Sequence, residues 1–95
     1  MPTLVLASAL ARWLPDAGGG EYRFDVEAAT VADALAAAFA RYPPLRGYVV
    51  DEQGAIRHHV AVFVDGEALR DKSLSSAPAL TPRSEIYLLQ ALSGG

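Results

Sequence analysis

A single stretch of this chain has helical spacing, and most of what surrounds it is spaced like strand. In "TVADALAAAFARY" (Thr30 to Tyr42), Val31, Leu35 and Phe39 recur every four residues and so line one stripe of a helix. Thr30 stands at the N-cap position with Asp33 three residues on, a short-armed version of the capping box. The six alanines of this stretch favour helix and let it lie close to a neighbouring layer. Pro43 and Pro44 end it, because proline cannot donate the backbone hydrogen bond of the next turn. A lone helix must bury its stripe against something, and strands are what the rest of the sequence supplies.

Thr3 to Ala9 ("TLVLASA") is apolar without helical spacing, as expected of a strand buried on both faces. "LARWLPDAGGG" follows as a turn or flexible loop, marked by Pro15, Asp16 and Gly18 to Gly20. "EYRFDVE" alternates: Tyr22, Phe24 and Val26 face one way, Arg23, Asp25 and Glu27 the other, which makes a hairpin with the first strand. Leu45 to Ile56 reads as irregular, with a turn centred on Gly54. "RHHVAVFVDGE" carries the clearest strand signal, with Val60, Val62 and Val64 on one face and His59, Ala61 and Phe63 on the other. Asp65-Gly66 closes a tight hairpin onto a brief strand from Glu67. "DKSLSSAPALTPRS" is a loop with room for one short helical turn, and a last apolar strand runs from about Glu85 to Ala91.

The order strand, strand, helix, strand, short strand, strand predicts an α+β fold. One main helix covers one face of a mixed four- to five-stranded sheet. The first and last strands, being the most uniformly apolar, belong side by side in its middle. The helix stripe is expected to rest on Leu4, Leu6, Val60, Val62, Ile86 and Leu88. A chain of 95 residues is one domain, here residues 1–90, with 91–95 as an extended, flexible tail.

Composition narrows the function. The absence of cysteine excludes disulfides, thiolate metal sites and a cysteine nucleophile, and it suits the cytoplasm. A net charge of −3, with seven arginines and one lysine scattered, argues against nucleic acid. No apolar run reaches the roughly 20 residues a membrane helix needs. Met1 to Leu14 lacks the basic start and cleavage site of a signal peptide. His58 and His59, if on a strand, point to opposite faces and share no metal, so no metal site is expected. No Gly-x-Ser-x-Gly elbow appears, and the glycine triplet lacks the lysine of a phosphate loop. As an enzyme in its own right the chain is poorly equipped.

The sequence closes on Leu92, Ser93, Gly94 and Gly95. Two terminal glycines arise by chance in about one chain in two hundred. A carboxylate becomes electrophilic only after activation, as by attack on the α-phosphate of ATP. To be activated by another protein, the end of the chain must thread extended into a nucleotide pocket. Glycine offers a narrow channel no side chain to obstruct.

The Ser93-Gly94-Gly95 ending, the "VAVFVDGEAL" hairpin (Val60 to Leu69) and the Thr30-capped helix together resemble the MoaD/ThiS family. These are ubiquitin-like β-grasp sulfur carriers of molybdopterin, thiamine and some cysteine biosynthesis pathways. The likeness spans essentially the whole chain. The longer loop around Asp51 to Glu67 is more similar to the molybdopterin- and cysteine-pathway carriers. The resemblance implies that a ubiquitin-activating-type adenylyltransferase uses ATP and magnesium to adenylate the Gly95 carboxylate. A sulfur donor converts it to a thiocarboxylate, and a downstream synthase accepts the sulfur. Gly94, Ser93 and Leu92 serve as spacer, and the chain itself binds no cofactor. It further implies docking through the sheet face left bare by the helix, here His59, Ala61, Phe63, Tyr87 and Leu89, with Arg57, Arg70, Lys72 and Arg83 around it. Two other readings share these residues: a protein modifier ligated through Gly95, and an interaction module whose tail is inert.

Overall fold

The computed structural model of the chain describes residues 1–11, 14, 20–69, 74 and 77–90. Strands β1 (Thr3–Leu6), β2 (Tyr22–Asp25), β3 (Val60–Val64), β4 (Glu67–Ala68) and β5 (Glu85–Gln90) form one sheet, ordered β2-β1-β5-β3-β4. Helix α1 (Ser8–Ala11) follows β1, α2 (Val31–Arg41) follows β2, and α3 (Arg46–Val49) follows α2 after a 3-10 turn at Pro43–Leu45.

The two most apolar strands are central. β1 and β5 pair in parallel, Leu4 beside Ile86 and Leu6 beside Leu88. β2 adds to β1 antiparallel (Leu4 beside Phe24), and β3 adds to β5 antiparallel (Val62 beside Leu88). This register sends Leu4, Leu6, Phe24, Val60, Val62, Val64, Ile86 and Leu88 to one face, and all of them are buried in a single core. The six residues expected beneath the helix are among them. At the β3–β4 turn Asp65 and Gly66 both have positive φ, 51° and 87°, the geometry of a two-residue hairpin loop.

Helix α2 forms where its spacing predicts. Thr30 is its N-cap, its Oγ1 accepting the Asp33 N–H at 3.1 Å. Its buried stripe is Val31, Ala34, Leu35 and Ala38, whereas Phe39, expected to share it, is half-buried at the margin. Small alanines at the centre of the stripe let the helix axis approach the sheet, and the larger ring sits to one side.

Elsewhere the expectations need correction. The first strand ends at Leu6, not Ala9: the Ala7 carbonyl accepts both the Leu10 and Ala11 N–H at 2.9 Å, curling the chain into α1. An apolar run this short does not by itself distinguish strand from buried helical turn. The segment after Pro44 is not irregular, since α3 buries Val49 behind the buried Leu45, a four-residue spacing hidden by the prolines and Gly47. Val50 and Ile56 then form a β-bridge, and the Asp51 carboxylate caps the bend between them by accepting from Gln53 N and Ala55 N. The short helical turn expected between Leu69 and Ser84 falls on a stretch in which 70–73, 75 and 76 lie outside the described residues. β3 begins at Val60, so His58 and His59 stand in a turn instead of on the strand.

Candidate functional site

The face of the sheet away from α2 is built by the alternate residues of each strand. Across its middle the register sets Arg23 beside Val5, Val5 beside Tyr87, Tyr87 beside Phe63 and Phe63 beside Ala68. One rung toward the end of β5, Ala61 stands beside Leu89. One rung the other way, Asp25, Thr3 and Glu85 align. Of the residues expected on this face, Phe63, Tyr87, Leu89 and Ala61 are brought together and are half-buried, while Val5 beneath them is fully buried. His59 is half-buried in the turn before β3 and does not belong to the strand rungs.

The two halves of this face differ in chemistry. The β3 side of β5 is apolar, with Ala61, Phe63 and Leu89. Over β1 and β2 lies a polar ladder that the linear sequence did not reveal. The Tyr87 hydroxyl donates to Glu21 Oε2 at 2.8 Å, and Arg23 Nη1 donates to Glu85 Oε2 at 3.2 Å. Arg23 Nη2 also lies 3.6 Å from Glu21 Oε1, and Thr3 Oγ1 donates to Asp25 Oδ1 at 3.2 Å. The hydrogen bond to Glu21, together with partial burial, pushes the Tyr87 hydroxyl above the ordinary tyrosine range, because its ionised form would face a carboxylate. These ion pairs are well exposed and contribute little to stability. What they fix is where the Tyr87 ring lies. The signal was present as parity, Arg23 and Asp25 on β2 matching Glu85 and Tyr87 on β5, but it becomes readable only once the register is known.

Of the surrounding cations, Arg57 donates its Nε–H to the Gly47 carbonyl at 2.8 Å, and Arg83 is exposed in the turn before β5. Arg70, Lys72, Leu92, Ser93, Gly94 and Gly95 lie outside the described residues. β5 ends at Gln90, paired with Val60, so the sheet delivers the chain toward its last five residues at the His58–Val60 end of β3. Among the described residues no group of three or more histidines, acids or cysteines is placed to hold a metal. Nor is any helix among them long and apolar enough to cross a membrane.

No family model matches the chain, and no curated protein matches its sequence. Solved structures do. SAMP1 from Haloferax volcanii is 30% identical over 99% of this chain and 98% of its own, with a TM-score of 0.72. The chain belongs to the MoaD/ThiS-type family of ubiquitin-like β-grasp proteins. A chain of the Amycolatopsis orientalis BexX/CysO complex superposes with a TM-score of 0.77 at 19% identity, covering 100% of both chains. CysO from Mycobacterium tuberculosis gives 0.71 at 18% identity over 94% of this chain and 99% of its own. At those identities the two CysO structures speak for the fold, which is the five-stranded mixed sheet with packed helices described above. These neighbours are small ubiquitin-like carrier or modifier proteins.

Proposed function

We propose that this β-grasp protein is a sulfur carrier whose working group is the carboxylate of Gly95. The observation that carries the reading is the near full-length match to SAMP1 in a chain whose central strand β5 runs into Leu92-Ser93-Gly94-Gly95. Residues 1–90 act as the folded handle and 91–95 as the arm, which spans at most about 17 Å when extended. The carboxylate attacks the α-phosphate of ATP in an adenylyltransferase of the ubiquitin-activating type, with magnesium, and expels pyrophosphate. A sulfur donor then attacks the acyl carbon and displaces AMP, leaving a terminal thiocarboxylate. A downstream synthase takes the sulfur into a cofactor or an amino acid in the cytoplasm. The apolar strip of Phe63 and Leu89, flanked by Tyr87 and His59, is the surface on which those enzymes dock. That a CysO relative is found in complex with BexX supports working through protein partners.

Incubation with ATP, the cognate activating enzyme and sulfide tests this directly. Intact-mass measurement should show one oxygen replaced by sulfur at the C-terminus. Deleting Gly95 should abolish the exchange without moving the unfolding midpoint. A chain that stays unmodified while its enzyme adenylates a control carrier refutes the proposal. The second reading, a protein modifier, is favoured by SAMP1's own designation as a small archaeal modifier protein. It shares the activation step and predicts an isopeptide conjugate in place of the thiocarboxylate.

A further inference from the structure

The His58-His59 pair is left unused by the carrier reading, and its geometry is not that of a strand. Arg57 and Val60 close a turn, Val60 N donating to the Arg57 carbonyl at 3.0 Å, so the two histidines are its central residues. Consecutive side chains that a strand would send to opposite faces are here neighbours, with ring centres 5.5 Å apart and planes inclined at 79°. His58 is exposed, His59 is half-buried, and neither imidazole has a hydrogen-bond partner among the described residues. Among the described residues, then, nothing occupies their ring nitrogens.

The turn is pinned on both sides. Upstream, Arg57 N donates to the Val49 carbonyl at 2.9 Å, and Arg57 Nε donates to the Gly47 carbonyl at 2.8 Å. Downstream, Val60 is locked into the sheet beside Gln90. A backbone held this way leaves only side-chain torsions to adjust, which lowers the entropic cost of bringing two donors to one ion. Two imidazoles bound side by side to one ion, at about 2.0–2.1 Å from metal to nitrogen, place their ring centres roughly 5 Å apart. The observed ring-centre separation of 5.5 Å is close to that, with side-chain torsions left to turn the nitrogens toward one ion. The Arg57 charge next door disfavours a cation, but its side chain is tied back to Gly47, and the chain as a whole carries −3.

We propose that His58 and His59 form a two-imidazole site for a late first-row divalent transition ion, with copper(II) held most tightly. Neutral imidazole suits these metals, and affinity rises along the series to copper. The site lies at the end of the sheet where β5 delivers the terminal segment, so an occupied site would place a cation beside the root of that segment. The proposal stands apart from the reading of Gly95, and its test needs no partner enzyme.

The test is titration of the full chain with copper(II) chloride in a non-coordinating buffer at neutral pH. One ion per chain is expected, with superhyperfine splitting from two nitrogens in the paramagnetic resonance spectrum. His58→Gln and His59→Gln should each weaken binding about tenfold or more, since each removes one of the two imidazole ligands and loss of even an outer-shell partner costs about that much. The unfolding midpoint of the exposed His58 variant should stay at that of the parent. Nuclear resonance broadening should centre on Arg57 to Ala61 and on Gln90. The proposal falls if either variant weakens binding less than twofold, or if broadening centres on the Met1 amine.

Discussion

Thr30 shows how much one hydroxyl can decide. Its Oγ1 accepts the Asp33 N–H, one of the four amides that a helix start leaves without a partner. Thr30→Ala should therefore cost about 1 kcal/mol in urea unfolding, while Thr30→Ser should be nearly silent. This residue was legible in the sequence because capping depends on a separation of three along the chain. Asp65-Gly66 was legible for the same reason, positive φ being needed at both positions and natural to that pair. His58 and His59 were not. Whether two neighbours diverge or converge depends on the strand starting at Val60 instead of Arg57, a boundary set by the Arg57–Val60 turn bond. A strand begun at Arg57 is three residues too long, and it places on opposite faces two rings that the turn sets side by side.

Between elements, the contact that most directly ties β2 to the C-terminal end of α2 is a pair of tyrosines. Tyr22 and Tyr42 share a hydroxyl hydrogen bond of 2.8 Å, with Phe24 packed edge-on to Tyr42 and Arg41 lying over both the Phe24 and Tyr42 rings. The bond to Tyr22, followed by burial, raises the Tyr42 pKa above the ordinary value. The folded state thus holds the Tyr42 proton more tightly than the unfolded chain does. Its contribution is complete below the unfolded tyrosine pKa of about 10 and is lost as pH climbs through the folded value. Thermal unfolding followed from about pH 9 upward should show that decline, and Tyr42→Phe should flatten it while lowering stability at neutral pH by roughly 1 kcal/mol. Nothing along the chain announced this pair. Alternation sets Tyr22 on the side of Phe24 and Val26, but its meeting with the residue that caps α2 is a product of packing. The α3 segment was hidden for a related reason: Pro43 and Pro44 truly end α2, yet a helix can restart at once after a proline.

Across the whole molecule, the central place of β1 and β5 and the face covered by α2 follow from two features legible in advance: the uniform apolarity of those strands, and the single helix stripe. The polar ladder over β1 and β2 was not legible, because it joins Glu21, Arg23, Glu85 and Tyr87 from strands that meet only after folding. It divides the face away from α2 into a charged half and an apolar half, and the docking proposal belongs to the apolar one. Phe63→Asp should therefore raise the KM for the chain in an adenylation assay about tenfold or more, as a hot-spot loss of 1.4 kcal/mol or above would, with its circular dichroism unchanged. An unaltered KM would move the docking surface elsewhere. The parallel seam between β1 and β5 has a consequence of its own. Its partners come from opposite extremes of the chain, so during synthesis β1 waits with its leucines unsatisfied until the fifth strand has left the ribosome, and closing so long a loop is slow. The body that would present the segment after Gln90 can therefore assemble only once β5 has emerged.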